Sequence, residues 1–120
     1  MNSSDLEYFR GRLAEMLVEA HEKGDSTLEA LTDSNQVFAD PADRATAESD
    51  RAFTLRIRDR ERRLIRKIQA AQQRIDDGTY GLCEECGDEI GVARLKARPV
   101  TRLCINCKAK QEADEHLRGD

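Results

Sequence analysis

The stretches CEEC at 83–86 and CINC at 104–107 decide the fold of this chain, because they hold its four cysteines in two closely spaced pairs. The 17 residues between the pairs let the chain fold back and bring four thiolates to one tetrahedral zinc ion. Two disulfides, a redox dithiol and four unrelated thiols are the alternatives. Zinc is favoured because nothing in the sequence resembles a secreted protein, and paired Cys-x-x-Cys motifs in an intracellular protein are typical of a metal site.

The predicted metal ligands fill the coordination shell of the ion. They are Cys83, Cys86, Cys104 and Cys107. Four protein thiolates leave no position for water or substrate, so we expect one structural zinc per chain rather than a catalytic one, although sulfur ligands alone do not distinguish zinc from iron. In a segment with few apolar residues, the metal should contribute on the order of 10 kcal/mol of apparent folding free energy.

The composition predicts a thin, elongated protein rather than a large globular one. Of the 120 residues, 38% are hydrophobic, 37% are charged and 4% are aromatic, which leaves little material for a wide core. The net charge of −4 argues against simple duplex DNA binding. Residues 1–40 carry nine acids and three bases, whereas residues 41–82 carry ten bases and seven acids. This segregation is typical of two helices that face each other.

Two long amphipathic helices account for the first two thirds of the chain. Apolar residues recur at steps of three and four from Leu6 to Leu31, with a helix start at Ser4 or Asp5. A second helix is predicted from Pro41 to Asp77, since Asp40 can cap it and Gly78 can end it. Its apolar stripe is broken only near Arg60 and Glu61, and the members are Phe53, Ile57, Leu64, Ile68, Ala71 and Ile75.

These patterns predict a mainly α fold in two parts. The first is a long antiparallel coiled-coil hairpin over 5–77, with its tip near 33–45. The second, over 78–120, is a small four-cysteine zinc-finger module with turns, a short β-hairpin and a C-terminal helix from Ile105 to Leu117. No signal peptide or membrane-spanning run is evident, so we expect a cytoplasmic protein that makes no membrane contact. We also expect a monomer, because the two apolar stripes can bury each other.

Several short motifs resemble the DksA branch of the DksA/TraR family. They are DPADRA at 40–45, RDRER at 58–62, YGLC at 80–83, EIG at 89–91, ARP at 97–99 and LCINCK at 103–108. The resemblance implies a bacterial transcription factor that binds RNA polymerase, not DNA, by inserting its coiled coil into the secondary channel. It further implies control of initiation at ribosomal RNA and other promoters, together with guanosine tetraphosphate in the stringent response.

The resemblance also implies two sets of functional residues. The tip that approaches the polymerase active site would carry Asp40, Asp43 and Ala45. From the residues alone, the two aspartates are an N-cap and a first-turn partner of the helix dipole, and both roles are compatible. The nucleotide site shared with the polymerase would be formed by Lys67, Arg98 and Lys108. That site requires these three basic side chains to converge.

Two other functions remain open at this point. A Gre-type auxiliary factor for transcript cleavage would also place an acidic coiled-coil tip in the secondary channel. A zinc-stabilised coiled-coil adaptor would have no role in transcription. An enzyme is not expected, because the sequence has no nucleophile beside a base and no phosphate-binding glycine loop.

Overall fold

In the computed structural model, the backbone is described for residues 1–33 and 41–117, and the side chains for 1–26, 42 and 44–117. The fold is mainly α: a long antiparallel coiled-coil hairpin is followed by a small four-cysteine module that ends in a helix. Helix α1 spans Ser3–Asp33 and helix α2 spans Pro41–Asp77. The short helix α3 spans Val92–Ala97, and α4 spans Ile105–Leu117. The predicted bounds of α2 and α4 are confirmed.

The N-cap of α1 lies slightly earlier in the chain than predicted. Asn2, rather than Ser4 or Asp5, caps the helix, because its Oδ1 accepts a hydrogen bond of 2.8 Å from the N–H of Asp5. The N–H of Leu6 adds a bond of 3.1 Å to the Asn2 carbonyl. An asparagine cap satisfies a donor at the helix start as well as serine does.

The chain divides into two compact units, and each contains one part of both long helices. The zinc-finger unit comprises Met1–Ala14 and Ile68–Asp120. The arm unit comprises Glu15–Lys67. Both names are used below for these residues.

In the core of the zinc-finger unit, the start of α1 packs antiparallel to the end of α2. Phe9 and Leu13 of α1 and Ile68 of α2 are completely buried. The ring of Phe9 lies 5.5 Å from that of Tyr80, centroid to centroid. At the surface, Arg10 pairs with Asp76 at 3.1 Å, but this exposed pair contributes little stability.

The segment between the cysteine pairs contains a helix that the sequence analysis missed. Residues Leu82 and Glu89 form an isolated antiparallel bridge instead of a full hairpin, and α3 follows directly after Gly91. Gly91 has φ of 99°, which favours glycine, and no side chain caps the helix. Because α3 is six residues long, it is too short to show an apolar repeat, although its Leu95 is completely buried.

In the arm unit, the structure differs from the predicted apolar stripe of α2 at two positions. Phe53, predicted to lie in the stripe, is 58% exposed. Glu61, predicted to mark a break in the stripe, is 8% exposed. Steps of four, three and four residues connect Ile57, Glu61, Leu64 and Ile68, so the glutamate occupies a core position of a regular heptad repeat. The stripe therefore continues through Glu61, and Phe53 lies beside it.

Candidate functional site

The first cysteine pair lies in a tight turn of the zinc-finger unit. The N–H of Cys83 donates to the Asp88 carbonyl at 2.8 Å, and the N–H of Gly87 donates back to the Cys83 carbonyl at 3.0 Å. Gly87 has φ of 78°, a left-handed conformation that favours glycine. This turn places Cys83 in the interior and leaves Cys86 exposed.

The second cysteine pair lies at the start of α4, which also confirms the prediction that it leads directly into a helix. Cys104 precedes the helix, and its carbonyl accepts a bond of 2.9 Å from the N–H of Lys108. Its sulfur accepts a bond of 3.4 Å from the N–H of Cys107. The first helical turn therefore holds both sulfurs on one side of the chain.

Two contacts of Glu84 connect the turns, and a third connects the first turn to α2. Its N–H donates to the Arg102 carbonyl at 3.0 Å, and its carboxylate pairs with the Arg102 guanidinium at 3.0 Å. The same carboxylate lies 4.0 Å from Arg74 of α2, and Arg74 also donates to the Val100 carbonyl at 3.3 Å. Sequence reasoning missed Arg74 and Glu84, since nothing in their local pattern distinguishes them from surface charges.

The four sulfurs come together in the geometry of a tetrahedral site. The Sγ atoms of all four cysteines lie within 4.8 Å of one another. Cys86 and Cys104 are 3.8 Å apart, sulfur to sulfur. A tetrahedron with Zn–S bonds of about 2.3 Å has sulfurs about 3.8 Å apart. The four cysteines therefore fit a structural zinc ion. Cys83 and Cys104 belong to an apolar cluster with Leu103, and Ile90 and Cys107 pack against it.

The surroundings of the sulfurs favour a divalent cation. Hydrogen bonding from backbone N–H groups, first that of Cys104 and then that of Cys86, lowers the pKa of the Cys83 thiol from 9.0 to about 6. Hydrogen bonding with the Cys104 side chain, assisted by burial, raises the pKa of Cys107 to about 12. One sulfur thus ionises readily, whereas hydrogen bonding and burial favour the protonated form of its neighbour. A bound dication would hold all four as thiolates, because its charge favours the ionised form of each ligand.

The three residues predicted at the tip are described to different extents. Ala45 is exposed on the first turns of α2. Asp43 belongs to the same helix, but its side chain lies outside the described residues, as does the whole of Asp40. The assignment of these residues to the tip stays a prediction.

The predicted nucleotide-site residues fall in both units. Lys67 is exposed at the end of the arm unit. In the zinc-finger unit, Arg98 is exposed just after α3, and its N–H donates to the Arg94 carbonyl. Lys108 is half-buried on α4, where its Nζ lies 3.1 Å from Gln111 Oε1. Their convergence on one ligand stays a prediction.

Among the helices as described, none has an apolar stretch long enough to cross a membrane.

Comparison with protein families and known proteins identifies two domains. Residues 5–75 match the N-terminal domain of DnaK suppressor protein DksA, and residues 78–113 match the prokaryotic dksA/traR C4-type zinc finger. The chain is 42% identical over 120 residues to the RNA polymerase-binding transcription factor DksA of Caulobacter vibrioides (strain NA1000 / CB15N), covering 100% of this chain and 84% of the relative. It is 42% identical over 115 residues to the protein of the same name from Escherichia coli (strain K12), covering 96% and 76%.

Solved structures agree with these matches. Transcription factor DksA2 from Pseudomonas aeruginosa superposes with a TM-score of 0.88 at 35% identity, covering 97% of this chain and 89% of that one. The RNA polymerase binding protein and transcriptional regulator Dks from Chlamydia trachomatis L2 (LGV434) shares the fold, with a TM-score of 0.58 at 21% identity over 95% and 94% of the chains. The chain therefore belongs to the DksA/TraR family and combines a DksA N-terminal domain with a C4-type zinc finger.

Proposed function

We propose that this protein is a bacterial transcription regulator that binds RNA polymerase. The observation that carries the proposal is the match of both domains, over 5–75 and 78–113, to a family whose relatives are named as RNA polymerase-binding transcription factors. The four-sulfur cluster supports it, because the metal centre of the family's zinc finger is intact. We infer that the protein acts in the cytoplasm, where RNA polymerase is found.

The proposed mode of binding is insertion of the coiled-coil hairpin into the secondary channel of the polymerase. A hairpin of helices with 31 and 37 residues supplies an element of about 50 Å at 1.5 Å per residue. Its far end would bring the carboxylates of Asp40 and Asp43 near the catalytic centre, where they would alter the lifetime of promoter complexes. The protein would act as a monomer, without sequence-specific contacts to DNA and without catalysing a reaction itself.

Transcription in vitro from a ribosomal RNA promoter tests this proposal. The wild-type protein should lower the transcript yield, and guanosine tetraphosphate should strengthen the effect. Asp43→Asn should keep the helical content and bind polymerase but lose most of the inhibition, because it removes the charge while keeping the size. Asp50→Asn is the matched control, since it removes one carboxylate from an exposed position of the same helix. Full inhibition by Asp43→Asn would contradict the role of the tip.

The proposed nucleotide site is tested separately. Lys67, Arg98 and Lys108 would bind the phosphates of guanosine tetraphosphate in the complex, because cationic side chains suit a highly anionic ligand. Calorimetry on the complex with polymerase should show weaker binding for Lys67→Ala and for Arg98→Ala, but not for Lys110→Ala, an exposed lysine of α4. Unchanged affinity in the first two variants would remove these residues from the site.

Two assays separate the proposal from its alternatives. Cleavage of the transcript in backtracked complexes would indicate a Gre-type auxiliary factor. Polymerase binding that persists with the secondary channel blocked would exclude the proposed mode of binding, and an absence of polymerase binding would leave an adaptor.

A further inference from the structure

The arm unit has very little buried side-chain material. Of its side chains that the structure describes, at 15–26, 42 and 44–67, two are buried: Ala20 of α1 and Glu61 of α2. The larger apolar residues Met16, Leu17, Ile57 and Leu64 are only half-buried. Since stabilisation by burial scales with the apolar area removed from water, this part of the hairpin gains little from its seam.

Glu61 weakens the seam further. It occupies a core position of the α2 heptad repeat, between Ile57 and Leu64, and is 8% exposed. Its Oε2 has no hydrogen-bond partner among the described residues. A carboxylate oxygen that is buried without a partner loses its hydration and receives no compensating bond, whereas an apolar side chain of similar volume at the same place would stabilise the helix pair.

The backbone of the arm unit adds two weak points. Gly24 lies in the interior of α1, where glycine is less favourable than alanine. Among the described residues outside its own turn of helix, no atom lies within 4 Å of a Cβ built at this position, so no close packing there requires the glycine. Thr54 of α2 donates through its hydroxyl to the Asp50 carbonyl at 2.8 Å, a side-chain bond that competes with the helical ladder.

We propose that the arm unit is a locally opening element, which unpairs and re-forms while the zinc-finger unit stays folded, and that Glu61 sets how often it opens. Local opening of segments with few buried apolar contacts is general in folded proteins. The inference does not depend on the proposed function, since it concerns the free chain. If the chain binds polymerase, opening would let the two helices of the arm unit change their packing to fit the surface of the polymerase site.

Amide hydrogen exchange on the full-length zinc-loaded protein tests the proposal. In the wild-type protein, the amides of 17–24 and 54–64 should exchange faster than those of 8–13 and 69–75. Glu61→Leu should slow exchange in the first two segments by about tenfold or more, because apolar contacts replace a buried oxygen that has no partner, and should leave the last two unchanged. Glu61→Met repeats the test with an unbranched side chain that fits with less repacking.

Asp59→Leu is the matched control. Asp59 is exposed, lies two residues from Glu61 on the same helix and carries the same charge, so its replacement adds a leucine without filling the seam. Exchange in the arm unit should stay at the wild-type rate in this variant. The proposal is overturned if Glu61→Leu and Glu61→Met both leave exchange in the arm unit unchanged. It is equally overturned if both units exchange at one common rate, or if the variants slow exchange in both units alike.

Discussion

The zinc-finger unit and the arm unit are built from the same two helices, yet their interiors have little in common. The first buries Phe9, Leu13, Ile68 and Leu95 and also contains the metal site. Within the described part of the second, the buried side chains are an alanine and a glutamate. The difference shows that a coiled-coil hairpin need not be equally stable along its length. One unit can supply the folding free energy, while the other keeps polar, weakly packed surfaces that serve functions other than stability.

Removal of zinc should have the largest effect, and it should fall on the zinc-finger unit. We expect a loss on the order of 10 kcal/mol of apparent stability there after chelation or in Cys104→Ser, because the four sulfurs lose the ion that connects their two turns. Hydrogen exchange should show loss of protection in α3 and α4, and added zinc should restore it after chelation. Asn106→Ser, within the same Cys-x-x-Cys motif, is the control. Protection of α4 that survives complete zinc removal would contradict the expectation.

Two phenylalanines compare the units directly. Phe9→Ala should lower the free energy of unfolding by about 3–5 kcal/mol, because it leaves a cavity in a fully buried site. Phe53→Ala should cost below about 1 kcal/mol, since Phe53 is 58% exposed and loses only surface contacts with Arg56. Urea denaturation followed by circular dichroism measures both. Similar losses in the two variants would show that the seam of the arm unit includes Phe53 after all.

Two glycines of α1 test whether the units are stabilised independently. Gly11 lies in the zinc-finger unit and Gly24 in the arm unit, and no atom of the described chain beyond the local helix lies within 4 Å of a Cβ at either position. Each replacement by alanine should stabilise its surroundings by about 1 kcal/mol. Hydrogen exchange should slow near 8–13 for Gly11→Ala and near 20–26 for Gly24→Ala. Equal slowing of both segments in either variant would mean that the hairpin opens as one cooperative body.

A further effect, confined to alkaline conditions, concerns the pH dependence of the zinc-finger unit. Burial raises the pKa of Tyr80 from 10.0 to about 12, although the nearby Arg74 charge lowers it in part. The native state therefore holds this proton more tightly than the unfolded state, so stability should decrease as the pH rises from 10 towards 12. Tyr80→Phe should remove this contribution and also the hydrogen bond of 2.8 Å to the Pro99 carbonyl.

Ultraviolet titration of tyrosinate absorbance identifies the group responsible for that alkaline transition. Tyr80→Phe should eliminate the tyrosinate transition that has the higher midpoint pH. Tyr8→Phe is the control, because Tyr8 is 50% exposed. An unchanged high-pH transition in Tyr80→Phe would contradict the assignment.

Local signals were sufficient to predict much of this fold. The signals Asp40-Pro41 and Gly78 predicted the two ends of α2. Proline restricts the backbone dihedral angles and glycine widens their range, whatever residues surround them. The spacing of the cysteines predicted the metal site because ligand geometry is nearly fixed. The helix α3 escaped prediction since six residues are too few to display a period.

By itself, then, the sequence determined the three longer helices, the cysteine pairs and the family. Only the tertiary structure decided which residues are buried. Because Phe53 is apolar and Glu61 is acidic, residue type alone predicted a buried Phe53 and an exposed Glu61. Both predictions were wrong. Burial depends on the direction in which a side chain leaves the helix relative to its partner, and a heptad repeat fixes that direction regardless of residue type. The contacts of Arg74 and Glu84 depend in the same way on residues distant in sequence that only folding brings together.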